Sequence, residues 1–478
     1  YIMESNHDVK MLMDGHYPYH IKQRILGDKG HLSNKDSAYY LSELITDKTK
    51  KVHIILKNAN INSKQSAPIY VKQAEKVFVT LDKGTKNTLS NGGKFTQIDD
   101  NNIDSVIFAK DDLTINGQGK LNIKSSVGHG IVSKDDLVVT NGEITVDVLK
   151  HGYQAKGSIR IGGGKSVLQT QQDGINCENT ENNKEGYVYI AKGTVNIEAE
   201  GDGISGSYFV QIDDVDMNII TAGGSSTLEI KGQERHNMDF WSTQTEQTTD
   251  NSVSCKGIKA ENNLIINGGK YHLDTYDDSI HSNNSIAIYK GDFDISCGDD
   301  GFHAGSNLNI SGGNINIAKS YEGLEGQSID VEEGSIKIIA SDDGVNASGG
   351  NDSSGNAVTG KNNRDMFKVD EDAYISIKGG TLYINAEGDG IDSNGDIYVL
   401  GGDTVIEGPT MGGNAALDYQ GNGFINNGKF LALGSSQMAL NFGKDSKQGT
   451  MLVAIKGEKG DKGDDGIAPQ IRINSSTI

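Results

Sequence analysis

One motif recurs along this chain at a nearly fixed interval, and it restricts the fold more than any other feature. An Asp-Gly-Ile type sequence places its apolar residue at Ile131, Tyr153, Ile175, Ile204, Ile258, Ile280, Phe302, Leu324, Val345, Ile391 and Leu417. The successive spacings are 22, 22, 29, 54, 22, 22, 22, 21, 46 and 26 residues. A base period of 22, lengthened where loops are inserted, is the mark of one solenoid coil per repeat. A unit of that size, built from two or three short strands, cannot bury its own apolar face and must stack on its neighbours. Alternation such as Leu121-Asn122-Ile123 or Ile315-Asn316-Ile317 is strand-like, and helix-period apolar patterns are nearly absent. The fold predicted is all-β: a right-handed, single-stranded parallel β-helix, a solenoid with about 22 residues per coil. The hand follows from the strong preference of parallel crossovers. Strand spacing of roughly 4.8 Å then gives a rod about 50 Å long for ten or so coils.

Columns read across the coils behave as such a rod requires. The motif residue is always apolar and is expected to point inward. Two positions later stand Ser133, Ala155, Cys177, Gly206, Ala260, Ser282, Ala304, Gly326, Ala347 and Ser393, all small, as an inward site at a tight bend demands. The residue before the motif residue is Gly from Gly130 to Gly390, with Ser279 the exception, and a turn with positive φ is the expected reason. Glycine pairs such as Gly268-Gly269, Gly312-Gly313 and Gly379-Gly380 mark a second turn. Cys177 falls in the small inward column, and Cys297 stands where other coils have Ala199, Thr275, Ala340 or Ala386. With Cys255 they make an odd, sparse set, which reads as reduced core residues rather than a disulfide framework or a redox pair.

The repeat divides the chain. Residues 1–50 do not fit it and are expected to cap the open end of the rod, which would otherwise expose strand edges. Residues 51–455 form the β-helix, with polar inserts at 233–254, which holds the sole tryptophan Trp241, and at 348–370, both expected as loops. Residues 456–478 open with four Gly-X-Y triplets, at Gly457, Gly460, Gly463 and Gly466, a collagen-like pattern that could trimerise the chain, and then begin a further module. The opening at Tyr1, without an initiating Met, suggests a processed or truncated start. Glycine is abundant (62) and proline scarce (4), unlike a disordered chain. A net charge of −21 argues against a nucleic acid partner, and no apolar run is long enough to span a bilayer.

The column two residues before the motif residue carries the chemistry. It runs His129, His151, Asp173, Asp202, Lys256, Asp278, Asp300, Glu322, Asp343 and Asp389, and Asp277, Asp299 and Asp342 double it in three coils. Carboxylates stacked one coil apart repel, and calcium, with its six to eight oxygen ligands, is the natural offset. Asp173, Asp202, Asp277, Asp278, Asp299, Asp300, Glu322, Asp342, Asp343 and Asp389 are therefore the candidate metal ligands, with the run from Asp277 to Asp343 preferred. The competing reading is turn chemistry, in which Asp caps backbone N–H groups beside Gly. One residue after the motif residue, Lys259, His281, His303, Glu325, Asn346 and Asp392, with Asn176 and Ser205, form a polar strip expected to face solvent and to contact an extended ligand. No Ser-His-Asp set, Cys-His pair or phosphate loop can be placed, and no catalytic residue is assigned.

The stretches Lys51-Val52-His53-Ile54-Ile55-Leu56, Lys110-Asp111-Asp112-Leu113-Thr114-Ile115-Asn116-Gly117 and Ser320-Tyr321-Glu322-Gly323-Leu324-Glu325-Gly326, within a similarity running from about Lys51 to Met438, resemble a family of secreted bacterial carbohydrate-binding proteins. That resemblance implies a right-handed parallel β-helix related to the pectate lyases, calcium as cofactor, recognition of acidic polysaccharide and no established catalysis. The leading 50 residues and the Gly-X-Y end depart from the family pattern. Three functions compete on these grounds: a non-catalytic, calcium-dependent binder of uronic-acid-type polysaccharide, extracellular or at a cell or spore surface; a structural subunit of a surface fibre assembled through the Gly-X-Y end; and a polysaccharide lyase using Lys256 or Lys259 as base.

Overall fold

The computed structural model describes residues 2–4, 51–97, 100–182, 184–227, 253–347, 369–410 and 413–453. Among them the protein is all-β: 38 strands joined in one hydrogen-bonded set, with a single 3-10 turn at Ser225–Thr227. The strands stack in parallel in the manner of a solenoid. A three-residue strand such as Ile280–Ser282 leads to Ser285–Ile288 and then to Asp292–Cys297, after which the chain returns to the first sheet at Phe302, the partner of Ile280.

The motif ladder is the register of that first sheet. Ile131 pairs with Tyr153, and the pairing continues through Ile175, Ile204, Ile258, Ile280, Phe302, Leu324, Val345 and Ile391. Asp392 pairs with Asp418, which carries the ladder on to Leu417. Ile204 meets Ile258, and Val345 meets Ile391, directly across the two long gaps, so the inserts leave the stacking in register. Most of each insert, Trp241 included, lies outside the described residues, as do residues 456–478. So does nearly all of the proposed N-terminal cap, within which Ile2–Glu4 pairs in parallel with Lys51–Lys57.

Every motif residue is buried, as is the small column beside it. Together with the Leu, Ile and Val residues of the other two sheets they fill a continuous interior. Cys177, Cys255 and Cys297 are buried and unbridged. The glycine before each motif residue is there for a reason other than φ. None of Gly130, Gly152, Gly174, Gly203, Gly257, Gly301, Gly323, Gly344 or Gly390 has positive φ. A Cβ on Gly323 would instead lie 2.4 Å from the Gly344 carbonyl oxygen and 2.4 Å from Ile338, and its counterparts meet equivalent walls. The position is closed by the stacking of one coil on the next, a constraint of space. At the second turn the conformational argument does hold, for Gly269, Gly313 and Gly380 have φ of 108°, 104° and 77°.

Candidate functional site

The acidic column lies at the corner entering the first sheet, where each coil's backbone passes beneath the same corner of the next. Its side chains bond across that step. His129 Nδ1 accepts the His151 N–H at 3.1 Å, and His151 Nδ1 accepts the Asp173 N–H at 3.0 Å. Asp173 takes the Asp202 N–H at 2.8 Å, and Asp202 takes the Lys256 N–H at 2.8 Å. Asp278 then accepts from Asp300 at 3.1 Å, Asp300 from Glu322 at 3.2 Å and Asp343 from Asp389 at 2.6 Å, and Asp389 accepts the Ala415 N–H. Lys256 has no acceptor to offer, and there Asp277 takes the Asp278 N–H instead, at 3.0 Å. What the column shares is an acceptor for the next coil's amide rather than negative charge. Neutral histidine fills that role as well as carboxylate does. The sequence held the signal in His129 and His151, which an all-carboxylate reading leaves unexplained.

At Asp173, Asp278 and Asp300 this ladder uses one carboxylate oxygen and the other meets the neighbouring polar strip, whereas Glu322 gives both oxygens to that strip and breaks the ladder. That strip does not lie open to solvent. Glu325 is fully buried, Asn346 and Asn176 are buried, and Ser205, Lys259, His281, His303 and Asp392 are half-buried. Alternation along a strand separates the lumen from the outside, but on the outside the stacked coils and the acid three residues earlier cover the strip. His281 Nδ1 is 2.7 Å from Asp278 Oδ2, and the His281 and His303 rings lie 4.7 Å apart, tilted by 32°. Asn176 donates to Asp173 at 2.7 Å, and Asn346 donates to both oxygens of Glu322 at 3.0 Å. Lys259 stands apart, paired with Glu261 at 3.0 Å.

Three of the predicted carboxylates, Asp277, Asp278 and Asp299, bring an oxygen each within 4.8 Å of one another, but Lys256 reaches two of them, Asp278 at 2.6 Å and Asp277 at 3.0 Å. Burial would lower the Lys256 ammonium, yet these carboxylates hold it above its ordinary value. Burial would likewise raise Asp278, yet Lys256 and His281 hold it well below the carboxylate range. The built-in ammonium therefore occupies the part of the column that charge density alone would favour for calcium.

Further along, no basic side chain among the described residues plays that part. Asp343, Asp389 and Asp392 again bring their oxygens within 4.8 Å of one another. All three are half-buried, beside Asp342 and Asp418. Burial, with Asp342, Asp389 and Asp392 nearby, pushes Asp343 well above the usual range. Asp389 is raised to about 6 by burial, with Asp418 and Asp342 adding to it, and Asp392 to about 7 by burial, Asp389 and Asp418. Each of these carboxyls is raised by carboxylates and by no lysine or histidine. An oxygen-only donor set with unbalanced charge and solvent access on one side fits a hard divalent cation.

A second polar surface escapes the motif-based reading. On the sheet that includes Lys270–Thr275, Asp292–Cys297 and Asn314–Ser320, outward side chains form two rows. One runs Asp216, Lys270, Asp292, Asn314 and Ser335, the other Asn218, His272, Asp294, Asn316 and Lys337. They line a shallow hollow of about 490 Å³. The polar-apolar-polar triplets Asp292-Phe293-Asp294 and Asn314-Ile315-Asn316 were the available signal.

Comparison with known proteins places these features. The sequence model of the family described as carbohydrate-binding domain-containing protein matches residues 42–301 and again 301–466. The chain belongs to that family. A carbohydrate-binding domain-containing protein of Acetivibrio thermocellus is 37% identical over 172 residues, which cover 36% of this chain and 60% of that one. This chain thus spans less than two thirds of that relative's length. A solved polysaccharide lyase-like protein from C. thermocellum, studied as a gadolinium derivative, is 36% identical, with 37% of this chain and 72% of that chain covered and a TM-score of 0.36. A shorter likeness, 44% identity over 73 residues, covers 15% of this chain and 28% of an exodeoxyribonuclease YycJ of Bacillus anthracis. Carbohydrate-binding domain membership rests on the family match, which takes in nearly every described coil.

Proposed function

We propose that this carbohydrate-binding domain protein is a non-catalytic, calcium-dependent binder of acidic, uronic-acid-type polysaccharide, acting outside the cell or at its surface on a right-handed, single-stranded β-helix of about 22 residues per coil. The observation that carries the calcium reading is the all-carboxylate group Asp343, Asp389 and Asp392, half-open to solvent and without a basic side chain among the groups that act on it. Those three would hold the ion, with Asp342 and Asp418 beside them. Calcium takes more oxygen ligands than three aspartates give singly, so bound there it supplies positions that a sugar carboxylate or water can fill. The two outward rows from Asp216 to Lys337 offer donors and acceptors at the strand spacing, a surface matched to an extended, hydrogen-bonding chain rather than to a compact small molecule.

A lyase needs a base with a lone pair to spare. Lys256 is held as an ammonium between Asp277 and Asp278, and Lys259 is paired with Glu261, so neither meets that need as it stands. The second reading, a rigid subunit of a surface fibre, is favoured by the acceptor ladder, which ties each coil to the next, and by the Gly-X-Y triplets from Gly457.

Calorimetry of the chelator-stripped chain against polygalacturonate and neutral glucans, with and without calcium, tests the proposal. Calcium should bind, raise the unfolding free energy by about 2.7 kcal/mol at a hundred times its Kd, and be required for uronate binding. Asp389→Asn and Asp392→Asn should each weaken both effects. An absence of calcium uptake, or uronate binding indifferent to calcium, would overturn it.

A further inference from the structure

Among the described residues Glu325 is a charged side chain with no solvent exposure. Its Oε2 is ion-paired with His303 Nδ1 at 2.5 Å, a nitrogen that Asp300 Oδ2 also meets at 3.1 Å, and its Oε1 has no hydrogen-bond partner. The other oxygen of Asp300 is occupied by the Glu322 N–H. Buried carboxylates are stable as anions only where positive charge is seated against them. Here Asp300 and Glu325 share one basic side chain, His303, and Lys256 is committed to Asp277 and Asp278.

Asp300, His303 and Glu325 bring one donor atom each within 4.8 Å of one another. We propose that they form a second cation site, chemically distinct from the all-oxygen group at Asp343, and that it takes a borderline transition metal such as Zn2+. The donor set decides the metal class. A nitrogen and two carboxylate oxygens in a closed interior give few ligands of mixed type, which suits four-coordinate zinc and not calcium. His281, its ring 4.7 Å from that of His303 and tilted to it by 32°, shares a second such grouping with Asp278 and is placed to add another nitrogen. Metal–ligand bonds of 2.0–2.2 Å at tetrahedral angles need donors about 3.3 Å apart. The present separations of 2.5 and 3.1 Å widen to that by side-chain rotations of under an ångström. The metal would replace the His303 Nδ1 proton and lie between Asp300 and Glu325, giving the two buried carboxylates twice the positive charge that one imidazolium supplies.

The test is titration of the full, tag-free, chelator-stripped chain with Zn2+ by calorimetry and with Co2+ by visible absorption, both in excess calcium. One equivalent should bind, with a Co2+ spectrum of nitrogen–oxygen ligation. His303→Gln and the nearly isosteric Glu325→Gln should each weaken binding at least tenfold, with circular dichroism confirming that at least one of them stays folded. Asp392→Asn, which addresses the calcium group, should leave it unchanged. No zinc uptake, displacement of zinc by calcium, or uptake unaltered in both variants would overturn the assignment.

Discussion

At Lys256 the column carries its own positive charge, while among its described members from Asp342 to Asp418 it carries none. The backbone geometry of the two stretches is the same: in each, a carboxylate oxygen receives the amide of the coil that follows. Their electrostatics diverge because one residue type changes. Where Lys256 enters, Asp278 is held well below the carboxylate range, an effect that does not extend to Asp300 and Glu322, which burial and neighbouring carboxylates raise; where only aspartates meet, Asp343, Asp389 and Asp392 are all raised. Two unit charges one coil apart repel by roughly 3 kcal/mol at an effective dielectric near 20, so the second stretch has to take up a proton or a cation. One scaffold feature thus pairs its charge internally at Lys256 and, on the calcium proposal, offers a cation site at Asp343, Asp389 and Asp392.

The largest effect should come from making the first stretch resemble the second. Lys256→Met leaves Asp278 buried without its counter-charge and should cost about 3–5 kcal/mol in urea unfolding. A loss below about 1 kcal/mol would mean that lysine is not what separates the halves.

A smaller effect should appear with pH. Asp389 and Asp392 have folded values of about 6 and 7, above those of the unfolded chain, so the folded protein binds more protons across that interval. In chelator, stability should therefore be greatest near pH 4, fall as pH rises toward 7, and level off above it. Calcium or Asp392→Asn should flatten this slope. His303, pushed up to about 12 by Asp300 and Glu325 against the effect of burial, brings stability that is complete below about 6.5 and declines above it, so its contribution falls in a separate window.

These outcomes bear on what could be read from the residues alone. The inward ladder was legible down to each pair, because a site enclosed by other coils accepts only apolar side chains. Ile204 could be matched to Ile258 across a long insert on that rule. The outer columns obey no such rule. Asn346 and Glu325 occupy outward positions in their strands, yet side chains one coil away bury them, and that lateral cover leaves no trace in a two-residue alternation. The glycine column misleads for a related reason: a crowded backbone and a left-handed one both call for glycine, and only the space around Gly323 distinguishes them.

The smallest predicted effect sharpens the acceptor argument. Asp173→Asn keeps an oxygen for the Asp202 N–H, and Asn176, whose own oxygen has no partner, can turn its amide to accept from the new one. The change should stay within about 0.5 kcal/mol, whereas Asp173→Ala orphans a buried amide and should cost about 1–3 kcal/mol. Equal losses for the two would show that charge, and not acceptance, is what the position supplies.

The ladder of side-chain acceptors also has a direction. Except at Lys256 and Glu322, the acceptor belongs to the earlier coil and the amide to the later one, from His129 to Ala415. A chain delivered amino end first, from a ribosome or through a translocation pore, therefore meets a side-chain acceptor already in place at each of those steps. Backbone bonds at the same corner run the other way, the amides of Gly257 and Gly301 donating to the carbonyls of Asp278 and Glu322 one coil later. The two ends of such a stack therefore offer an additional coil different groups: side-chain acceptors and backbone amides at one, the complementary amides and carbonyls at the other.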